Sequence, residues 1–600
     1  MRLQNGKQKR NSYMKIKELF KNTFKKIDYN LASNFFGDNH FVQRGGAVNM
    51  PNSFHNLLPY RYFDEATNLY INQVDGKKGQ EEETVGFLIE ATPILGCSEA
   101  DIDILSNFFN DNLPEGLVLQ IINYASPRVG DLLDSWKAPR EKEGGVYKDL
   151  AEKRIEYLTK GCWKSLFPSP FVVRDFKIYI SASLSKSQYN DAENILKKLR
   201  VDFESNLNNV NIKTKNTNPS ALLSLLDELL NPDINLTHKS NIKWDKLDPI
   251  NVQACDSESV FEIKHNQLEL KDDVVARSFS AKSYPEIWIG SEMINLLGAN
   301  FRDNLRLSCP FISCLTIEVP NLNKSKNRAI LREQILETRS RSQLAKFWKN
   351  VDKMARDWKY VKDHIDKGQR LVTAKYNVIL LTQKDRIDLE EEKLKAIYTP
   401  NNWRLKRDDY LHLPSFLSIL PFYINSERFK SFSQCGKTKT VLTWTCTNIA
   451  PLQGEFRGAI DQPRVMMLGK RGQPLFWNPY YSPEAGGNYN VVVTGKSGSG
   501  KSVFIQDLAA SIRGTGGLLF IIDNGESFRN SSTLQGGKFI KIDSDICINP
   551  FTMFDWDAMK TASYEEDILN FFTCLVAQIT RPITPITEDE KALITLATKR

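Results

Sequence analysis

Nine cysteines in 600 residues lie dispersed and never at C-x-x-C spacing. A disulfide framework and a zinc ribbon are both excluded, leaving reduced thiols. No apolar run reaches the roughly 18 to 20 residues that span a bilayer, and the mean hydropathy is −0.39, so no membrane crossing is expected. The opening MRLQNGKQKR is basic, but no apolar h-region follows it, so no secretory signal is read and a cytoplasmic setting is expected. The six histidines show no HExxH or paired spacing and no G-x-S-x-G occurs, which disfavours a metal hydrolase and a nucleophilic triad. Net charge is only +8, too mild for a dedicated nucleic-acid binder. No repeat of solenoid period and no low-complexity tract is present.

What is present is a globular composition, 41% apolar and 25% charged, in a chain too long for one core. About three to four domains are expected. Residues 1–45 read as a basic N-terminal arm. Within it, Ile16, Leu19, Phe20, Phe24 and Ile27 recur at helical spacing among lysines, as in a helix lying on an anionic membrane surface or packed on its own domain. Residues 46–215 read as an α+β module: strands at VGFLIEAT, LVLQIINY and FVVRDFKIYISAS, a helix over 98–110, and a helix from Lys186 with an apolar stripe at Ala192, Ile195, Leu196, Leu199 and Phe203. The polar stretch 206–221, carrying Pro219, predicts a long loop or seam.

Residues 216–437 read as a second mixed module. It holds strands at FISCLTIEV and TAKYNVILLTQ, a long charged helix from about Lys324 to Lys367, and a helix from Arg386 to Tyr398. The long helix carries Arg328, Arg332, Arg339, Arg341, Lys346, Lys349 and Lys353 with Trp348 and Trp358, a face for DNA or a simply solvated one. Residues 438–600 form the third unit, with strands at VLTWTCT and at a hairpin turning through Gly469 to Gly472.

The chemistry lies in NVVVTGKSGSGKSVFIQDLAASI at 490–512. A β-branched run is followed by Gly495-Lys496-Ser497-Gly498-Ser499-Gly500-Lys501-Ser502-Val503 and then by a helix with Phe504, Leu508 and Ile512 on one side. This is G-x-x-x-x-G-K-[ST] in the setting that it requires. The glycines let the loop take positive φ, so that backbone N–H groups converge on a phosphate at the positive end of the helix. Lys501 is placed to bridge β- and γ-phosphates and Ser502 to ligate Mg²⁺, so ATP with Mg²⁺ is the expected cofactor. LLFIID at 518–523 predicts a second buried strand ending in Asp523. Asp523 is a candidate metal-organising acid and Glu526 a candidate water activator, with a capping role as the alternative for both.

At GKSGSGKS (495–502), IIDNGESF (521–528), Ile548-Asn549-Pro550-Phe551 and LPEGLVLQI (113–121) the chain resembles the TraC-type conjugation ATPases of F-like type IV secretion systems, within the wider FtsK/HerA group of P-loop ATPases. The likeness runs over essentially the whole chain. It implies a motor ATPase coupling hydrolysis to pilus assembly and to DNA or protein transfer. It further implies a homo-hexamer, docking on inner-membrane secretion components, peripheral membrane contact and an arginine supplied by a neighbour. The implied fold is α/β and α+β multidomain: mixed modules ahead of the first half of a RecA-like P-loop NTPase domain on a doubly wound parallel sheet. Family members are longer, and 552–600 shows no second acidic strand or arginine-finger region, so that domain is expected to be incomplete at its C-terminal end. A HerA/FtsK-like DNA translocase, and a nucleotide-binding assembly component without turnover, are the alternatives.

Overall fold

The computed structural model describes residues 42–44, 47–49, 54–75, 81–111, 113–167, 171–255, 261–299, 302, 305–342, 350–481, 486–542, 549–553 and 562–598. The arm helix within 1–27, Lys346, Trp348 and Lys349 fall outside them. Two compact units are present, residues 1–522 and 523–600.

The first unit is built on one thirteen-stranded sheet. Its strands are β1 Tyr60–Asp64, β2 Leu69–Asp75, β3 Glu81–Ala91, β4 Val118–Ser126, β5 Asp175–Ser185, β6 Thr214–Asn216, β7 Glu262–Ile263, β8 Leu268–Glu269, β9 Val274–Ser283, β10 Phe311–Glu318, β11 Leu371–Gln383, β12 Arg404–Arg407 and β13 Lys439–Leu442. The order is β1-β2-β3-β5-β4-β10-β11-β9-β8-β7, with β6 on β3, β12 on β9 and β13 on β11. Every pairing is antiparallel. No break in this sheet falls at 215/216 or at 437/438.

The central strands are buried at nearly every position because helices cover both faces, and polar residues such as Gln120, Asn123, Lys177 and Lys375 are enclosed with the apolar ones. On one face Leu119, Ile121, Ile178, Ile180, Leu315 and Val378 pack under α1 (Glu99–Asp111), α4 (Ala192–Asn209) and α8 (Ile387–Tyr398). On the other, Ile122, Tyr179, Ile312 and Ile379 pack under α2 (Gly130–Glu143), α3 (Gly145–Lys160), α5 (Pro219–Leu230), α9 (His412–Leu417) and α10 (Ser426–Gln434).

Three local expectations are corrected. The stretch 206–221 is not a long loop: α4 runs to Asn209, β6 follows, and Pro219 opens α5. Proline suits a first helical position, which needs no N–H donor, and the Asn218 side chain caps it by accepting from the Ala221 amide at 2.9 Å. The expected single helix over 324–367 is two that pack together, α6 (Leu322–Ser340) and α7 (Val351–Asp366). VLTWTCT is strand only to Leu442. Thr443–Asn448 is helical (α11), with Cys446 and Ile449 turned into the core three residues apart.

The sheet also holds a duplication that the letters do not display. The triplets β3-β5-β4 and β9-β11-β10 meet at the β4–β10 pair, where Val118 faces Glu318 and Ala125 faces Phe311. In each half the first strand is outermost, the second innermost and the third between them. A two-helix hairpin, α2–α3 or α6–α7, joins second to third. Helix α4 or α8 follows, and a short strand, β6 or β12, returns to the first.

Beyond α11, the hairpin β14 (Val465–Leu468) and β15 (Pro474–Trp477) leads toward the glycine-rich loop. Its turn requires Gly472: φ is +97°, and a Cβ would lie 1.9 Å from the Val172 carbonyl oxygen. The runs 490–494 and 518–522, expected as parallel strands, have no ladder partner among the described residues. Val492 and Phe520 are 87% and 94% exposed. Apolar β-branched sequence favours a strand, but only neighbouring strands supply its hydrogen bonds. Among the described residues no helix is long and apolar enough to cross a membrane.

Candidate functional site

The loop 495–500 is held open by its glycines. Gly498 and Gly500 take φ of +75° and +92°, where a side chain is strained. A Cβ on either would meet nothing within 4 Å, so conformation and not crowding demands glycine there. At Gly495 the reverse holds: a Cβ would lie 2.6 Å from Ser499 Oγ and 3.2 Å from Lys501 Cγ. The loop therefore curls back on its own entrance. The Ser499 amide donates to the Lys496 carbonyl at 3.2 Å, and Lys501 Nζ spans the ring, donating to the Gly495 and Lys496 carbonyls at 2.7 and 3.0 Å.

Gly500 is the N-cap of α12 (Lys501–Arg513). The first intrahelical bond runs from the Phe504 amide to the Gly500 carbonyl at 2.9 Å, so the amides of Lys501, Ser502 and Val503 have no intrahelical acceptor and form the positive end of the helix. Residues 495–500, Ser502 and Val503 are exposed. This donor set fits a polyphosphate. Backbone N–H groups would cradle it, Lys501 would exchange its two carbonyl partners for phosphate oxygens, and the Ser502 hydroxyl would serve a Mg²⁺ that offsets phosphate charge.

Contacts from the sheet unit fix α12. Arg154 on α3 forms an ion pair with Asp507 at 2.8 Å and donates its other guanidinium nitrogen to the Met466 carbonyl at 2.6 Å. At the far end Arg513 pairs with Glu143 at 2.7 Å, and Arg464 bonds the Thr515 hydroxyl. Trp477 stacks on Phe504, centroids 6.4 Å apart. Sequence reasoning missed Arg154 and Glu143: each lies more than 300 residues from its partner, so no local spacing could signal them.

The two candidate carboxylates lie in the second unit. Asp523 accepts from the Phe528 amide at 3.2 Å and the Ser527 hydroxyl at 3.4 Å, just before the helix α13 (Arg529–Leu534). Glu526, at φ +60°, pairs with Lys541 at 3.1 Å and Arg529 at 3.3 Å. Lys541 foremost holds its carboxyl below the usual range, the wrong direction for a base meant to take a proton from water. Among the described residues no group of three or more His, Cys, Asp or Glu could hold a metal ion.

Residues 466–591, which contain the loop, match the TraG P-loop domain family. Residues 54–424, nearly the whole duplicated sheet, match the TraC protein family. Protein TraC of Escherichia coli (strain K12) is 24% identical over 532 residues, covering 84% of this chain. The chain spans 58% of that relative's length. With a sheet unit and a phosphate loop each matched in this order, the chain belongs to the TraC protein family.

Proposed function

We propose that this chain binds ATP with Mg²⁺ at 495–503 and acts as a motor ATPase subunit of a type IV secretion system, its hydrolysis coupled to pilus assembly and to DNA or protein transfer. The subunit works as a homo-oligomer, a hexamer in this reading, held peripherally at the inner membrane by other secretion components. One observation carries the nucleotide part: Lys501 lies across a curled, solvent-open loop at a helix N-terminus. The conjugative part draws on the family membership.

A second reading is a nucleotide-binding assembly component without turnover. The engagement of Asp523 in a cap and of Glu526 in two ion pairs favours it. Turnover and nucleotide-dependent thermal protection, measured on this chain and on Lys501→Ala, separate the readings. A ligand that binds only the folded state raises Tm by mass action, by about 2.7 kcal/mol of stabilisation at a hundredfold excess over Kd. The motor reading expects ATP·Mg²⁺ to raise Tm and to be hydrolysed, both effects lost in Lys501→Ala. Protection without hydrolysis supports the second reading, and equal behaviour of both proteins refutes the site.

A further inference from the structure

We propose that Arg154 is a positioning residue for the phosphate loop, and that through it the hairpin α2–α3 of the sheet unit senses nucleotide at Lys501. The sensing half rests on the nucleotide reading above. Arg154 stands where two elements meet that the loop needs. One guanidinium nitrogen holds Asp507 of α12, and the other holds the Met466 carbonyl of β14. A planar fork can hold both at once, which an ammonium cannot. Asp507 follows Lys501 by six residues, about 9 Å along a helix axis. A rigid helix therefore carries a displacement at Asp507 directly to the first-turn amides.

The other side of the clasp is anchored in the core. Trp136 of α2 is buried, and its indole N–H donates to the Arg464 carbonyl at 3.0 Å. Arg140 stacks on that ring at 3.8 Å and Arg154 lies 5.4 Å from it. Ala151 and Leu158 of α3 are buried in the core beneath the sheet. The guanidinium groups of Arg140 and Arg154 thus share one ring, and Arg154 holds the Asp507 carboxylate. Burial foremost, then the Arg154 charge, disfavours the charged form of Arg140, and Asp507 favours it. Loss of Asp507 would leave like charges facing each other.

The duplicated topology supplies a comparison within the same chain. Hairpin α6–α7 occupies the equivalent place in the second half, where its ion pairs join Lys326 to Asp366 and Lys362 to Glu333 within the hairpin and Lys353 to Glu286. The clasp on α12 belongs to the residues of α2–α3.

The test uses the full chain as wild type, Arg154→Ala, Asp507→Ala, the double alanine variant, Arg154→Lys, and the charge exchange Arg154→Asp with Asp507→Arg. Affinity is read with a fluorescent ATP analogue and Mg²⁺, and amide hydrogen exchange is followed over 130–160 and 501–513. Each single alanine variant should weaken binding roughly three- to tenfold, and the double no more than either. The charge exchange should recover most of the loss and Arg154→Lys part of it. In wild type, nucleotide should slow exchange across α2–α3, an effect absent in Arg154→Ala. Without nucleotide, Arg154→Ala should already exchange faster across 503–513. Unchanged affinity and exchange in both single variants, or fully additive losses, overturn the proposal. A wild type that ignores the analogue overturns the nucleotide reading and the sensing, while exchange across 503–513 still decides whether Arg154 positions the helix.

Discussion

Lys501 carries its ammonium across an open loop, whereas Lys177 and Lys375 hold theirs inside the sheet unit, where the imidazole of His412 is also buried. Lys177 is compensated by Glu228 at 3.1 Å and the Ser126 hydroxyl at 2.9 Å. Lys375 meets the Ser418 hydroxyl at 2.8 Å, and burial pushes its pKa down to about 8. His412 accepts the Ser278 amide at Nδ1, 3.1 Å away, which requires a neutral ring at that nitrogen, and burial lowers its pKa to about 4. The sign of the linkage follows. Between about pH 6.5 and 4 the unfolded chain binds a proton that the folded one refuses, so the contribution is full above pH 6.5 and is lost as pH falls toward 4. His412→Gln keeps an acceptor for Ser278 and removes the titration. Denaturant unfolding measured from pH 7 to 4 should therefore lose stability less steeply in the variant, by up to one proton's worth of slope. Parallel curves would mean that His412 takes up its proton in the fold as readily as in the unfolded chain, and would overturn the buried neutral ring.

At the scale of elements, helices and central strands were legible where one period dominated. The runs expected at 85–92, 117–124 and 373–383 lie on the strands Glu81–Ala91, Val118–Ser126 and Leu371–Gln383, and the glycine-rich motif is readable because all its parts are neighbours in sequence. The cap at Asn218 and the three-residue step from Cys446 to Ile449 are single-residue signals, weaker in the sequence than the polar or β-branched composition around them. Helix α6 shows why charge alone says little about function. Its packed side holds Ala329, Glu333 and Leu336, while Lys324, Arg328, Leu331 and Ile335 face outward and exposed. Glu333 reaches Lys362 of α7 at 3.8 Å, while Glu337 pairs with Arg341 at the end of its own helix at 2.5 Å. A solvated helix face tolerates charge reversal, so Lys324→Glu with Arg328→Glu should shift unfolding free energy by no more than about 0.5 kcal/mol per site. The same variant examines the translocase alternative. If α6 tracks DNA, wild-type turnover rises with DNA in a steeply salt-dependent way and the variant loses that rise. Equal response of the two proteins removes α6 as a DNA track.

For the molecule as a whole, alternating strands and helices in the sequence could not announce an antiparallel sheet, because strand direction is set by which strands meet, and pairs such as β4–β10 join positions nearly 200 residues apart. The duplication is silent in the sequence for the same reason: it lives in connection order and not in letters. The division of the chain is physical in a different sense. Among the described residues, 517–522 lies at the end of the first unit, follows Gly514-Thr515-Gly516 and has no regular secondary structure. Leu518, Phe520 and Ile522 there are almost wholly exposed. An irregular, solvated segment opens to a protease at little free-energy cost, while β4, β5, β10 and β11, buried on both faces, open only with the unit. Limited chymotrypsin digestion of the full chain should therefore include an early cut at Phe520 and leave the β1–β13 sheet intact, read by mass spectrometry of the fragments over time. A segment still uncut after the sheet has been degraded would show that 517–522 is paired in solution, as the parallel strand that its sequence resembles.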